Sequence, residues 1–231
     1  MARRTGLASA TPAEGHADKK TRELLLTVTG QLIMERGSAE VSLSDIAEKS
    51  GMSSALVRYY FGNKSGLMMA LLRKAIGPLR EELKYLLSRP LSPEQKMRVH
   101  LKGFVNGYAR FPWVGRLMHH MLAEDPELYG PIIAQEISKP VFDAQRIILA
   151  EGLKAGCFKE ADPLAFFFLV SGACDNLFFG RFQLEYLFGI KDIDDALREK
   201  FSEDFCALLC NGILASPAVA TPAATPAAKI T

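Results

Sequence analysis

Apolar residues recur at intervals of three and four along nearly the whole chain, the spacing of helices that bury one face. In the first such run, residues 18–36, Leu25, Val28 and Leu32 share a face, and Gly37 supplies the stop. Ser42, with Asp45 three residues on, has the form of a capping box opening a second helix that ends near Gly51. Ser53 caps a short third helix that runs to Phe61, and Gly62-Asn63 turns the chain into a fourth starting at Lys64. This fourth helix reaches towards Leu87, with a kink or break expected at Gly77-Pro78, where proline removes a hydrogen bond. Further helical runs cover 93–110, 114–123, 126–152, 163–188 and 194–214, and within 126–152 Gly130-Pro131 and Pro140 are candidate breaks. No alternating run bounded by turn residues reads as a strand, so the predicted fold is all-α.

The two ends lack this periodicity. Residues 1–17 mix Arg3 and Arg4 with glycine, proline and small residues and read as a flexible arm; the Ala/Pro-rich residues 216–231 read as a disordered tail. Between them the expected organisation is a three-helix unit over 18–63 and a larger helical body over 64–215.

Composition narrows the function more by exclusion. The 231 residues carry 28 Lys and Arg against 26 Asp and Glu, a net charge of +2, so any case for nucleic acid must rest on local placement. A non-specific architectural DNA binder would be strongly basic. Cys157, Cys174, Cys206 and Cys210 lie in apolar helical segments without a CxxC, which reads as buried thiols in a reducing cytoplasm. The apolar stretch 164–174 is interrupted by Asp175, Asn176 and Arg181 before reaching the ~20 residues of a membrane span. His119-His120 beside Glu124-Asp125 is the nearest approach to acid–base or metal chemistry, yet adjacent side chains diverge by about 100° on a helix. With no HExxH, Gly-rich phosphate loop or nucleophile elbow, neither an enzyme nor a metal or cofactor is expected.

The second and third helices and the turn through Gly51 have the spacing of a helix-turn-helix, whose second helix enters a DNA major groove. Helical geometry puts Ser54, Ala55, Arg58 and Tyr59 on one side of that helix and Leu56, Val57, Tyr60 and Phe61 on the other. Arg58 is the first candidate for base readout, because a guanidinium fork matches two acceptors of guanine. Small residues at 54 and 55 allow close approach to base edges. Ser42 and Asn63-Lys64, at helix starts, place hydroxyl, charge and backbone N–H groups where phosphates could sit.

The stretch SLSDIAEKSGMSSALVRYYFGNKSGL, residues 42–67, preceded by MERG at 34–37, resembles the DNA-binding region of the TetR/AcrR family of bacterial transcriptional regulators. The likeness rests on the Asp-Ile-Ala run, Gly51-Met52-Ser53 in the turn, the Tyr-Tyr-Phe triplet, and Asn63-Lys64 followed by Leu67. It implies that Ser54, Ala55, Leu56 and Arg58 face bases with Ser44 close by, and that Ser42, Tyr60 and Lys64 touch phosphates. Helical geometry disagrees at Leu56, Tyr59 and Tyr60, so which tyrosine meets DNA stays open. Ser53 and Tyr59 complete the candidate interface. Arg58 stands where the family most often has an aromatic residue, so a relative's operator cannot be carried over.

The resemblance further implies a small-molecule effector held among the middle helices and a homodimer formed through the last two. Candidate effector contacts are Phe104, Tyr108, Trp113, Arg116, His120 and Phe142, aromatic walls with a few polar groups. Candidate dimer contacts are Phe167, Phe178, Phe182, Phe205 and Leu209, on helices too apolar to leave uncovered. The reading is a cytoplasmic dimeric repressor that binds a double-stranded DNA operator and is released by an inducer, with no membrane partner. The alternative is an enzyme or protein-interaction module built on the helical body, with the helix-turn-helix not reading DNA.

Overall fold

The computed structural model describes residues 16–214, apart from the side chains of His16, Ala17 and Arg181. The expected tail at 216–231, and all but the last two positions of the expected arm at 1–17, lie outside the described residues. The helices are α1 (His16–Arg36), α2 (Leu43–Ser50), α3 (Ser54–Phe61), α4 (Lys64–Ser88), α5 (Pro93–Arg110) and α6 (Val114–Glu124). They are followed by α7 (Pro126–Ile133), a π-helical turn (Ala134–Ser138), α8 (Lys139–Lys154), α9 (Pro163–Phe179), α10 (Arg181–Phe188) and α11 (Asp195–Ile213). No strand is present among the described residues beyond an isolated bridge between Phe158 and Leu214.

Three helices depart from the reading of the sequence. α4 runs unbroken through Pro78, which lies on the exposed side with Lys74, whose carbonyl loses its helical partner where water can replace it. The run 126–152 stays helical but widens at Ala134–Ser138, where Lys139 N–H bonds back to Ala134 O. The wider turn makes room for Pro140, whose ring would otherwise crowd the preceding turn. The run 163–188 divides at Gly180 into α9 and α10, bent by 72°. Apolar residues on every side of this run left its periodicity unable to show the break.

Two clusters of buried side chains organise the molecule. The first joins Ile33 of α1, Ile46 of α2, Val57 of α3 and Leu72 of α4 to Leu117 and Met121 of α6. The second joins Leu101 of α5, Ile148 of α8, Val170 and Cys174 of α9, and Phe205 and Cys210 of α11. Each fully buried large aliphatic side chain contributes ~1.5–3 kcal/mol of apolar transfer energy. α4, α6 and α7 each have residues in the first cluster and also border a cavity in the body. Close approach is tightest at Gly152 in α8, where an added Cβ would lie 1.9 Å from Phe158 Cδ2. Only glycine lets the Phe158 ring pack there.

Candidate nucleic-acid interface and effector cavity

The geometry of α2 and α3 follows from local hydrogen bonds. Ser42 Oγ accepts the Asp45 N–H at 3.0 Å, and Asp45 Oδ2 accepts the Ser42 N–H at 2.7 Å, completing the capping box. Arg36 at the end of α1 bonds the same carboxylate at 2.8 Å. Arg36, then Ser42, hold the Asp45 carboxyl well below the usual carboxylate range, so the clamp between α1 and α2 stays charged. At the turn Gly51 takes φ 69°, a left-handed conformation that glycine adopts without strain. Ser53 then caps α3 by accepting the Leu56 N–H at 3.2 Å, and Asn63 caps α4 by accepting the Gly66 N–H at 2.8 Å.

On α3, Val57 is fully buried, while Leu56, Tyr60 and Phe61 are half-buried against the domain. Ser54, Ala55, Arg58 and Tyr59 are exposed, as are Ser42 and Ser44 at the start of α2 and Ser53 at the start of α3. Lys64 is half-buried at the start of α4. The two tyrosines divide as helical geometry suggested. Tyr59 is 74% exposed, whereas the Tyr60 hydroxyl donates to Asp18 Oδ1 of α1 at 2.7 Å. That hydrogen bond raises the Tyr60 pKa, so the phenol stays protonated as a donor. Arg22, also on α1, lies over the Phe61 ring at 5.2 Å. α1 therefore grips the back of α3 through Tyr60 and Phe61 and leaves its front to solvent.

In the body, a cavity of about 490 Å³ opens between α4, α5, α6, the turn before α8, and α9. Its size falls within the ~300–1,000 Å³ typical of small-molecule sites. Of the six residues expected there, Phe104 and Tyr108 line it; Trp113, Arg116, His120 and Phe142 do not. Trp113 packs its indole towards Gly30 of α1 and lines a separate groove of about 460 Å³. His120 Nε2 is buried 3.8 Å from Glu124, while its neighbour His119 lines the cavity, with Nε2 2.8 Å from Asp175 Oδ2. One residue along a helix is a rotation of about 100°, enough to exchange the two roles. Phe142 lies behind the wall, edge-on to Phe167 at 6.0 Å.

Among the cavity's polar members that reading the sequence missed are Arg80, Glu82, His100, His119 and Asp175. Arg80 had left a signal, since it shares a helical stripe with Ile76, Leu79 and Leu83, where a charge is out of place. His100 is buried, 3.1 Å from Gln145 Nε2, and burial pushes its pKa down to about 4, so the ring is neutral. Burial, then the charge of Asp175, pushes the Tyr108 hydroxyl well above its usual range.

The expected dimer residues also divide. Phe178 and Phe205 belong to the chain's own core, Phe167 and Leu209 are half-buried, and Phe182 is 63% exposed. Core positions on α9 recur as Phe166, Val170, Cys174 and Phe178; Leu164, Leu169 and Phe179 are exposed, and Phe168, also exposed, borders the cavity. Tyr186, Leu187 and Phe188 of α10 and Leu208 of α11 add to the exposed apolar surface. Among the described residues no three His, Cys, Asp or Glu side chains converge to hold a metal, and no single helix is long and apolar enough to cross a membrane.

Known proteins show the same organisation. Residues 25–71 match the family described as bacterial regulatory proteins, tetR family, and residues 90–218 match the tetracyclin repressor-like C-terminal domain. The HTH-type transcriptional regulator BetI of Stenotrophomonas maltophilia (strain R551-3) is 34% identical over 99 residues, 40% of this chain and 50% of that protein. The chain thus matches about half the length of this curated relative. A TetR/AcrR-family regulator from Thermobifida fusca YX-ER1 shares the fold with a TM-score of 0.63 at 21% identity, over 84% of this chain and 98% of that one. The ketosteroid transcriptional regulator KstR2 of Mycobacterium tuberculosis does so with a TM-score of 0.63 at 14% identity, over 84% and 95%. With the C-terminal match alone covering more than half of the 231 residues, and the helix-turn-helix match preceding it, the chain belongs to the TetR family of bacterial transcriptional regulators.

Proposed function

We propose that the protein is a dimeric repressor that reads its operator through α3 and leaves it when a small molecule enters the cavity of the body. The observation that carries the reading is the front of α3, where Ser54, Ala55, Arg58 and Tyr59 are exposed together over the buried Val57. Arg58 supplies the bidentate donor fork for guanine, and Ser54 and Ala55 let the helix sit close to base edges. Ser42, Ser44, Ser53 and Lys64 surround this face at helix starts, where hydroxyls, a cation and N–H groups meet phosphates. Tyr59 is better placed than Tyr60 to meet DNA, since the Tyr60 hydroxyl is already engaged by Asp18.

Two copies joined through the exposed apolar faces of α9, α10 and α11 would present two such helices to half-sites ~34 Å apart. A ligand alters this only if it favours one of two arrangements. α4 and α6 are the elements suited to couple them, because both run from the core of the DNA-binding helices to the cavity wall.

The test is selection of bound duplexes from a random pool, followed by competition binding with the selected site. Arg58→Ala is expected to lose about tenfold or more in affinity for that site and to relax base preference at one position of each half-site. Its salt dependence should stay unchanged, because phosphate contacts remain. A wild-type protein that enriches no sequence would refute operator reading.

A further inference from the structure

The cavity that the proposed function assigns to an effector also carries information about the effector's chemistry. Its walls are mainly aromatic and aliphatic, so the charged side chains among them stand out. Glu82 is neutralised by Arg110 at 3.0 Å, and Asp175 is bonded by His119 at 2.8 Å. His100 is buried and neutral beside Gln145. Arg80 remains, and among the described residues it has no ion pair of its own.

The nearest acid to it does not change this. Glu136 feels the charge of Arg80, but both its carboxylate oxygens are taken by Arg73, at 2.8 and 2.6 Å. Arg73, Arg80 and Glu136 line a smaller pocket of about 180 Å³ that adjoins the cavity at Arg80, and two arginines around one glutamate leave it with an excess positive charge. The π-helical turn contributes Ile137 and Ser138 to the lining of the cavity, and its Ile137 also lines the smaller pocket with Arg80. Irregular turns of this kind occur often at binding sites, because they re-aim side chains and loosen the backbone ladder.

We propose that the effector is an amphipathic carboxylate, its headgroup held by Arg80 near Ser138 and its apolar body among Phe104, Tyr108 and Phe168. A guanidinium offers two parallel N–H donors to a carboxylate, a geometry an alcohol or an amine cannot match. The headgroup site lies on α4, which enters the core of the DNA-binding helices at Leu72, so the same contact would act on the helix that positions α3. This assignment rests on the cavity being the effector site.

The experiment is calorimetric titration of the full chain with decanoate, decanol, decylamine and acetate, all kept below micelle formation. Decanoate is expected to bind about tenfold or more tightly than decanol or decylamine, the margin of a charge-assisted hydrogen bond, and acetate not to bind measurably. Arg80→Met, which keeps the stem and removes the charge, should bring decanoate down to the level of decanol, and Arg80→Lys should restore part of the margin. Decanol or decylamine binding as well as decanoate, no binding of any ten-carbon probe, or a preference surviving in Arg80→Met would each overturn the assignment. The wild-type comparison decides alone if a variant fails to fold, as checked by circular dichroism. Sequence-specific DNA binding is measured on the same preparation. DNA binding without carboxylate preference overturns only the ligand class; carboxylate binding without DNA specificity overturns the regulator reading and leaves the ligand class standing.

Discussion

His100 offers a quantitative test of the body's packing. The ring is 5% exposed, and burial alone lowers its pKa from 6.5 to about 4. Between these values the unfolded chain binds a proton that the native protein refuses. Its contribution to stability is therefore complete above pH 6.5 and is lost as the pH falls towards about 4. At ~1.4 kcal/mol per pH unit, the loss reaches about 3 kcal/mol over the whole window and about 2 kcal/mol between pH 7 and pH 5. The assay is urea unfolding at both pH values, with protomer concentration held constant because dimerisation would shift the midpoint. His100→Gln keeps a polar partner for Gln145 and removes the titration, so its stability should fall by about 2 kcal/mol less than that of the wild type. Parallel losses in the two proteins would refute the reasoning. So would an imidazole NMR titration of the native protein with its midpoint near the ordinary histidine value.

Three further perturbations probe other parts of the molecule. Gly152→Ala forces a methyl into the Phe158 ring and should destabilise by about 1–3 kcal/mol, partly restored by adding Phe158→Leu; an unchanged melting temperature would show that the ring moves aside freely. Tyr60→Phe should lower the melting temperature while leaving the salt dependence of DNA binding intact, and the loss should vanish in an Asp18→Asn background. A fall in DNA affinity without loss of stability would instead place Tyr60 on a phosphate. Phe182→Glu, on the exposed apolar face, should shift sedimentation from dimer to monomer with unchanged helicity, and a dimer that persists would put the interface elsewhere.

The helix starts and the sides of α3 were legible because they depend on residues three or four apart. Ser42 with Asp45, Ser53, and the left-handed Gly51 all form the caps and turn their spacing suggests. The inward side of α3 came out the same way: Val57 is buried, and Leu56, Tyr60 and Phe61 are partly so. The cavity was much less legible. Trp113 and His120 looked like ligand groups by type, yet Trp113 closes on Gly30 and His120 turns towards Glu124. The aromatic run of α9 and α10 showed that a large surface needed cover but not which part was internal, since apolar side chains on all sides carry no phase.

The sequence by itself determined the all-α class, the caps, the helix-turn-helix and the face of α3 that carries Arg58. Those features are set by neighbours along the chain, through hydrogen-bond caps and the 3.6-residue period. Only the tertiary structure decided that α6 shares a core with the DNA-binding helices, that Asp18 holds Tyr60, and that His119 rather than His120 enters the cavity. It also decided that Glu82 and Asp175 are bonded while Arg80, among the described residues, has no ion pair of its own. A charge acquires its role from what lies opposite it, and those groups come from segments far apart in the chain, brought together by packing rather than by periodicity.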